Sequence, residues 1–293
     1  MSYVNEPFEE LDVMNNFMFN QLSTNPKTGK GFVRCLIRNL LGIETGEITI
    51  RAENMIYPTL PNKRGVRLDV QIDESNENDN ITTIYDIEPH RDPENAFPKK
   101  TRFSQAQIDK NTLPSGSNDF SHMPDLYIIN ITNYDPFGDD YMLYTIKNKC
   151  IEIPELVYND GVTIYYFNTT GTNGGSDDLK KFLEYLETSK STYASTSATK
   201  EMQSYVEIIK HDAEIGGNYL TFGDLMDKVA AEAAAEVCAE KDAIIAEKNA
   251  SIAEKEASIA EKNASIAEKE ASIAEKEAVI AELQAKITLL ENK

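Results

Sequence analysis

Gly65-Val66-Arg67-Leu68-Asp69-Val70-Gln71-Ile72-Asp73 and Ile81-Thr82-Thr83-Ile84-Tyr85-Asp86-Ile87-Glu88-Pro89-His90 are the two segments whose pattern decides the fold. In the first, Arg67, Asp69, Gln71 and Asp73 alternate with Val66, Leu68, Val70 and Ile72, the period of two that marks a half-buried strand. Glu74-Ser75-Asn76-Glu77-Asn78-Asp79-Asn80 lies between them, and its Asn and Asp side chains tolerate turn conformations and bond their own backbone, so it predicts a hairpin loop. The second segment is rich in β-branched residues and puts Ile84, Asp86, Glu88 and His90 on one face. Asp69 and Glu88 then fall side by side across the hairpin.

On an ordinary two-stranded ribbon such polar residues face water. Two features argue for more: the carboxylates lie among Val70, Ile72, Ile84 and Ile87, and the acidic strand end runs directly into Pro89, His90 and Arg91. Paired carboxylates near a core are costly unless a proton or cation neutralises them. A hard divalent cation such as Mg2+, which takes one or two carboxylates together with waters and phosphate oxygens, would do so.

With 293 residues the chain is long enough to bury a proper core in one large or two modest domains. Met1 to Asn20 mixes Glu6, Glu9, Glu10 and Asp12 with scattered hydrophobics, so no secretory leader is predicted, and no run approaches membrane-spanning length. Cys35, Cys150 and Cys238 are far apart and lack CxxC spacing, which signals neither a disulfide framework nor a zinc site and suits a reducing cytoplasm. The formal net charge of −20 speaks against nucleic acid taken over the whole chain. Its distribution is uneven: Lys27 to Lys110 holds 13 basic and 13 acidic residues, whereas residues 111 to 230 hold 8 and 18. Any phosphate contact is expected from the first half.

Along the chain, Leu11, Met14, Met18 and Leu22 recur at helical spacing until Asn25-Pro26-Lys27-Thr28-Gly29 ends the segment. A second helix carries Phe32, Cys35, Leu36, Leu40 and Leu41, with Gly42 where a capping glycine belongs. Ile48 and Ile50 mark a short strand. After His90, a turn-rich link with two prolines leads to a helix over Lys99–Lys110, whose first turn is crowded by Lys99, Lys100 and Arg102, with Gln105 a turn further on. Met123 to Ile131 is an apolar, β-branched run of the kind that forms a central strand. Tyr141–Ile146 and Val162–Phe167 are expected strands, Ser176–Leu186 and Lys200 to about Ile215 expected helices. Gly216-Gly217 is expected to break the pattern.

Taken together, Asn16-Phe17-Met18-Phe19, Gly65-Val66-Arg67-Leu68-Asp69-Val70, Tyr85-Asp86-Ile87-Glu88 and Pro98-Lys99-Lys100-Thr101-Arg102-Phe103-Ser104-Gln105 resemble the PD-(D/E)XK nuclease superfamily. Within it they are most similar to the transposase-like recombination-promoting nuclease (Rpn) group, over roughly residues 8 to 220. The resemblance implies an α/β restriction-endonuclease-like core, a mixed β-sheet flanked by helices, and a Mg2+- or Mn2+-dependent DNA endonuclease acting in recombination. It implies Asp69 and Glu88 as metal ligands, with the carbonyl of Pro89 as a third. His90 stands where the superfamily usually has lysine and the Rpn group often has glutamine; a neutral imidazole there could serve as a base near neutral pH. Gln105 resembles a helix glutamine that supports the site, and Lys99, Lys100 and Arg102 are the expected contacts to DNA phosphates. The acid that many members carry near the N-terminus would fall near Asn15 or Asn16, and neither is acidic. His122 and His211 lie outside this constellation. The alternative from another class is an interaction protein that keeps the nuclease fold without its activity.

From Ile245 the chain repeats Ile-Ala-Glu-Lys-Glu/Asn-Ala-Ser, with isoleucine at 245, 252, 259, 266, 273, 280 and 287. A sustained seven-residue period reads as coiled coil. With Ile at a, the d position is Lys at 248, 255, 262, 269 and 276 and becomes Leu only at 283 and 290, so the seam is poor in its middle. A second seam, Ala257, Ala260, Ala264 and Ala267, has the right spacing but buries little. Ala-rich composition favours helix, and the tail is expected to associate weakly with other copies, making a homo-oligomer. The sequence therefore divides into a nuclease-like domain over 1–220 and a helical repeat tail over 221–293.

Overall fold

The computed structural model describes residues 6–56, 66–112 and 119–291, of which 52–56, 66–69, 220–238, 282 and 287–291 are described as backbone only. After a 3-10 turn (Phe8–Glu10) come α1 (Asn16–Thr24), α2 (Gly29–Leu41), β1 (Glu47–Ile56), β2 (Val66–Ser75), β3 (Ile81–His90) and α3 (Phe97–Thr112). They are followed by β4 (Asp125–Thr132), β5 (Leu143–Ile146), β6 (Val162–Asn168), α4 (Asp177–Thr188), α5 (Ser197–Lys210) and α6 (Ala213–Glu291). The chain falls into two compact units, residues 2–223 and 224–293.

The first unit is α/β, built on a mixed six-stranded sheet in the order β1-β2-β3-β4-β6-β5. β1, β2 and β3 form an antiparallel meander, β3–β4 and β4–β6 are parallel, and β5 returns antiparallel on the outer edge. The predicted hairpin is present, and its turn is held by Asn76, whose Oδ1 accepts from the backbone N–H of Asn78 (2.9 Å) and Asn80 (3.1 Å). Asp79 takes the left-handed conformation there, φ 59°, which aspartate tolerates better than most residues. Because β3 and β4 run parallel, the chain must cross over between them, and α3 makes that crossing.

Alternation along the strands divides two cores. Val70, Ile72, Tyr85, Ile87, Ile129, Ile131 and Phe167 face α1, α2, α4 and α5 in the main core, with Phe19, Phe32, Leu36, Phe182 and Val206. Each such buried side chain contributes about 1.5–3 kcal/mol relative to exposure. On the opposite face Ile84, Leu126 and Ile128 pack with Ile108 of α3 in a smaller core. The helices that build the main core start and stop on local signals: Gly42 ends α2 at φ 70°, the Ser176 hydroxyl caps α4, and Thr196 and Thr199 form a reciprocal capping box on α5.

Two sequence expectations are corrected. The helix expected to run from Lys200 to about Ile215 ends at Lys210, and Gly216-Gly217 does not break the chain but lies inside α6. Asp212 explains both, because its Oδ1 accepts from the N–H of Glu214 (3.1 Å) and Ile215 (3.3 Å) and so caps a new helix just before the glycines. Ile215 and Tyr219 then anchor its first turns, Tyr219 packing on Phe8 and Phe17 with ring centroids 5.8 and 5.0 Å apart. The polar face of the hairpin is covered, as its apolar surroundings in the sequence suggest. Gln71, Asp73, Asp86 and Glu88 are all buried on the side that carries α3, and Asp73 is satisfied by Arg51 (2.6 Å) and Gln71 (2.8 Å).

In the second unit the repeat forms a continuous helix. Ile252, Ile259, Ile266, Ile273 and Ile280 are each between 53% and 57% exposed, an apolar stripe that recurs every seven residues.

Candidate functional site

The end of β3 gathers the predicted residues. Glu88 and His90 are two apart on one strand and therefore on one face, and the His90 Nε2 lies 3.4 Å from Glu88 Oε2. The parallel register sets Glu88 beside Asn130 of β4. Asn130 Oδ1 is 3.2 Å from His90 Nε2, while its Nδ2 donates to the Tyr165 carbonyl of β6 at 3.3 Å. The imidazole rests edge-on against Phe97 of α3, centroids 4.6 Å apart, and Phe97 packs on Tyr166, whose hydroxyl donates to Thr101 Oγ1 at 3.0 Å. The sequence thus places a carboxylate and an imidazole on β3, braces them through Asn130 of β4 and Tyr165 of β6, and packs the imidazole against the first turn of α3. Glu88 is 6% and His90 7% exposed.

Around this pair lie a second acid and a cation. Glu94 Oε1 is 4.0 Å from His90 Nδ1 and accepts from Lys100 Nζ at 2.6 Å. Of the three expected phosphate contacts, Lys100 is therefore tied to Glu94, whereas Lys99 and Arg102 are exposed on α3. Gln105 is not brought to the pair: its Nε2 donates to Asp109 Oδ2 one turn on in its own helix, at 3.5 Å. Burial raises the Asp109 carboxyl above its ordinary range, offset by the Gln105 hydrogen bond. Pro89 continues β3 beside Ile131. The side chain of Asp69 lies outside the described residues.

Sequence reasoning missed Asn130 and the partners of Arg91. Asn130 sits inside an apolar strand, and a buried amide in such a run is itself the signal, because buried polar groups need partners. Arg91 pairs with Asp12 and lies 3.5 Å from Glu6, while Tyr219 donates to the Glu6 carbonyl at 3.1 Å. These contacts tie the residue next to His90 to the N-terminal segment and to the start of α6. Nothing in the sequence pairs residues so far apart. Burial raises the Asp12 carboxyl, and the Arg91 guanidinium beside it works in the opposite sense.

Among the described residues no group of three His, Cys, Asp or Glu side chains is placed to hold a metal ion, and no helix is long and apolar enough to cross a membrane. Comparison with protein-family models, with curated proteins and with solved structures finds no match to this chain.

Proposed function

We propose that the chain is a metal-dependent DNA endonuclease of the recombination-promoting nuclease type, with a restriction-endonuclease-like core over residues 1–220. The observation that carries this reading is the buried Glu88 carboxylate at the end of β3, within 3.4 Å of His90 Nε2, beside a helix whose first turns expose Lys99 and Arg102. The donor set is chemically suited to Mg2+ or Mn2+, since these ions take hard oxygens from one or two carboxylates. Position 69 has the same parity as the buried Gln71 and Asp73, and the register that pairs Val70 with Ile87, carried on by one residue, brings it opposite Glu88. Asp69 and Glu88 are thus the residues that would hold the ion, with the Pro89 carbonyl next to them in the strand. When bound, the ion would supply water activation and neutralisation of phosphate charge. Lys99 and Arg102 would contact backbone phosphates, and Lys100 would hold Glu94 near His90. A reducing cytoplasm suits the free thiols of Cys35 and Cys150, and the half-exposed isoleucine stripe supports homo-oligomers through the tail.

The test is nicking of supercoiled plasmid by the purified protein with Mg2+ or Mn2+, beside Asp69→Ala and Glu88→Ala. Nicking by the wild type that both variants lose is the expected result; an intact plasmid in all three samples overturns cleavage. One observation favours a second reading, an inactive nuclease-fold protein that binds a partner: Glu88 and His90 are almost wholly covered. The two readings part on metal binding. A ligand at a hundredfold excess over its Kd stabilises the native state by about 2.7 kcal/mol, so an active site predicts a Mg2+- or Mn2+-dependent rise in Tm that Asp69→Ala abolishes.

A further inference from the structure

We propose that Asn130 is a positioning residue that fixes His90 as the tautomer with its hydrogen on Nε2, leaving Nδ1 as the ring's lone-pair nitrogen. A peptide carbonyl can only accept, so the side-chain atom of Asn130 that meets the Tyr165 carbonyl at 3.3 Å is the amide nitrogen. That contact fixes which way the amide points, and its oxygen is then the atom 3.2 Å from His90 Nε2. An amide oxygen also only accepts, so Nε2 must donate. The Glu88 oxygen 3.4 Å from the same nitrogen is an acceptor as well and asks for the same hydrogen.

The consequence concerns the division of labour in the site, and its functional meaning rests on the nuclease reading. A neutral His90 offers no base at Nε2, the nitrogen nearest Glu88. It presents that carboxylate with a donor instead, in the way that outer groups orient metal-ligating side chains. Its lone-pair nitrogen, Nδ1, lies on the side of Glu94 Oε1, 4.0 Å away. Asn130 acts through His90. It is 1% exposed, the polar residue in a strand otherwise made of Ile128, Ile129 and Ile131 at this level.

The tautomer is read directly by long-range proton–nitrogen NMR on the metal-free full chain with 15N-labelled histidine, under alkaline conditions where imidazole is neutral. There are three histidines in all, and the His90→Gln variant identifies the signal that belongs to His90. The expected result is a downfield, unprotonated Nδ1 and a protonated Nε2 at His90, whereas His211, whose Nδ1 lies 2.8 Å from the Glu207 carbonyl, is expected to carry its hydrogen on Nδ1. A protonated Nδ1, or averaging at His90, overturns the proposal. In Asn130→Ala the His90 nitrogen shifts should move toward each other; if they stay at their wild-type values, Glu88 alone holds the tautomer and the role given to Asn130 is wrong. The wild-type spectrum decides the tautomer even if that variant does not fold. Plasmid nicking measured on the same samples separates the two ideas, because an inactive protein with the Nε2–H tautomer sinks the nuclease and leaves the tautomer standing.

Discussion

At Asp12, burial and charge pull against each other. Removal from water raises its carboxyl above the ordinary value near 3.8, and the paired Arg91 recovers part of that shift. A carboxyl whose folded value exceeds its unfolded one binds more protons in the native state, so its contribution to stability is greatest below the unfolded value and is lost as pH rises through the folded one. The difference in unfolding free energy between wild type and Asp12→Asn should therefore move against the wild type as pH climbs from about 4 toward neutrality. Urea denaturation at a series of pH values measures it, and a flat difference would show that Arg91 fully neutralises the effect of burial. At this scale the sequence was partly legible. Glu88 and His90 could be read from their i, i+2 spacing, because a strand puts such residues on one face. Asp12 with Arg91, and His90 with Asn130, could not, because each pair is joined only by the folded path of the chain.

The hairpin, the central strand and most of the helices were legible because period-two alternation, β-branched runs and capping residues are local properties. The start of α6 was not. Two adjacent glycines normally signal a break, and here the Asp212 cap and the aromatic cluster of Phe8, Phe17 and Tyr219 outweigh that preference. The two glycines are not equivalent. A methyl group on Gly216 would meet the Phe8 ring at 3.2 Å, whereas one on Gly217 would meet nothing within 4 Å. Gly217→Ala is expected to stabilise the protein by about 0.4–1 kcal/mol, by lowering the entropy of the unfolded chain and improving helix propensity. Gly216→Ala should gain nothing or lose stability, as the ring must give way. Thermal denaturation of the two variants tests the contrast. Equal shifts would mean that the Phe8 contact does not constrain the helix. Alternation showed which hairpin residues share a face, but the element that covers that face, α3, could not be read from the strands themselves.

Across the whole molecule, the two units have different sources of stability. Residues 2–223 enclose two cores on either side of one sheet, while residues 224–293 have a helix whose isoleucines stay half exposed. If copies associate through that stripe, replacing Ile252, Ile259, Ile266 and Ile273 with serine should weaken association by more than a hundredfold, about 2.8 kcal/mol or more. Light scattering over a concentration series reads the change directly, and a mass that is unaffected would place the contact elsewhere. The −20 charge of the chain opposes any such association at low ionic strength, so added salt should favour it.

The repetition in the tail has one more consequence. Because successive heptads are nearly interchangeable, two tails displaced by seven residues, about 10 Å along the axis, meet the same side chains as before. That degeneracy breaks chiefly near the end, where Val279 takes the place of Ser and Leu283 and Leu290 that of Lys. A joint made from this helix would behave as a sliding coupling with several equivalent stops, its span adjustable in whole heptads.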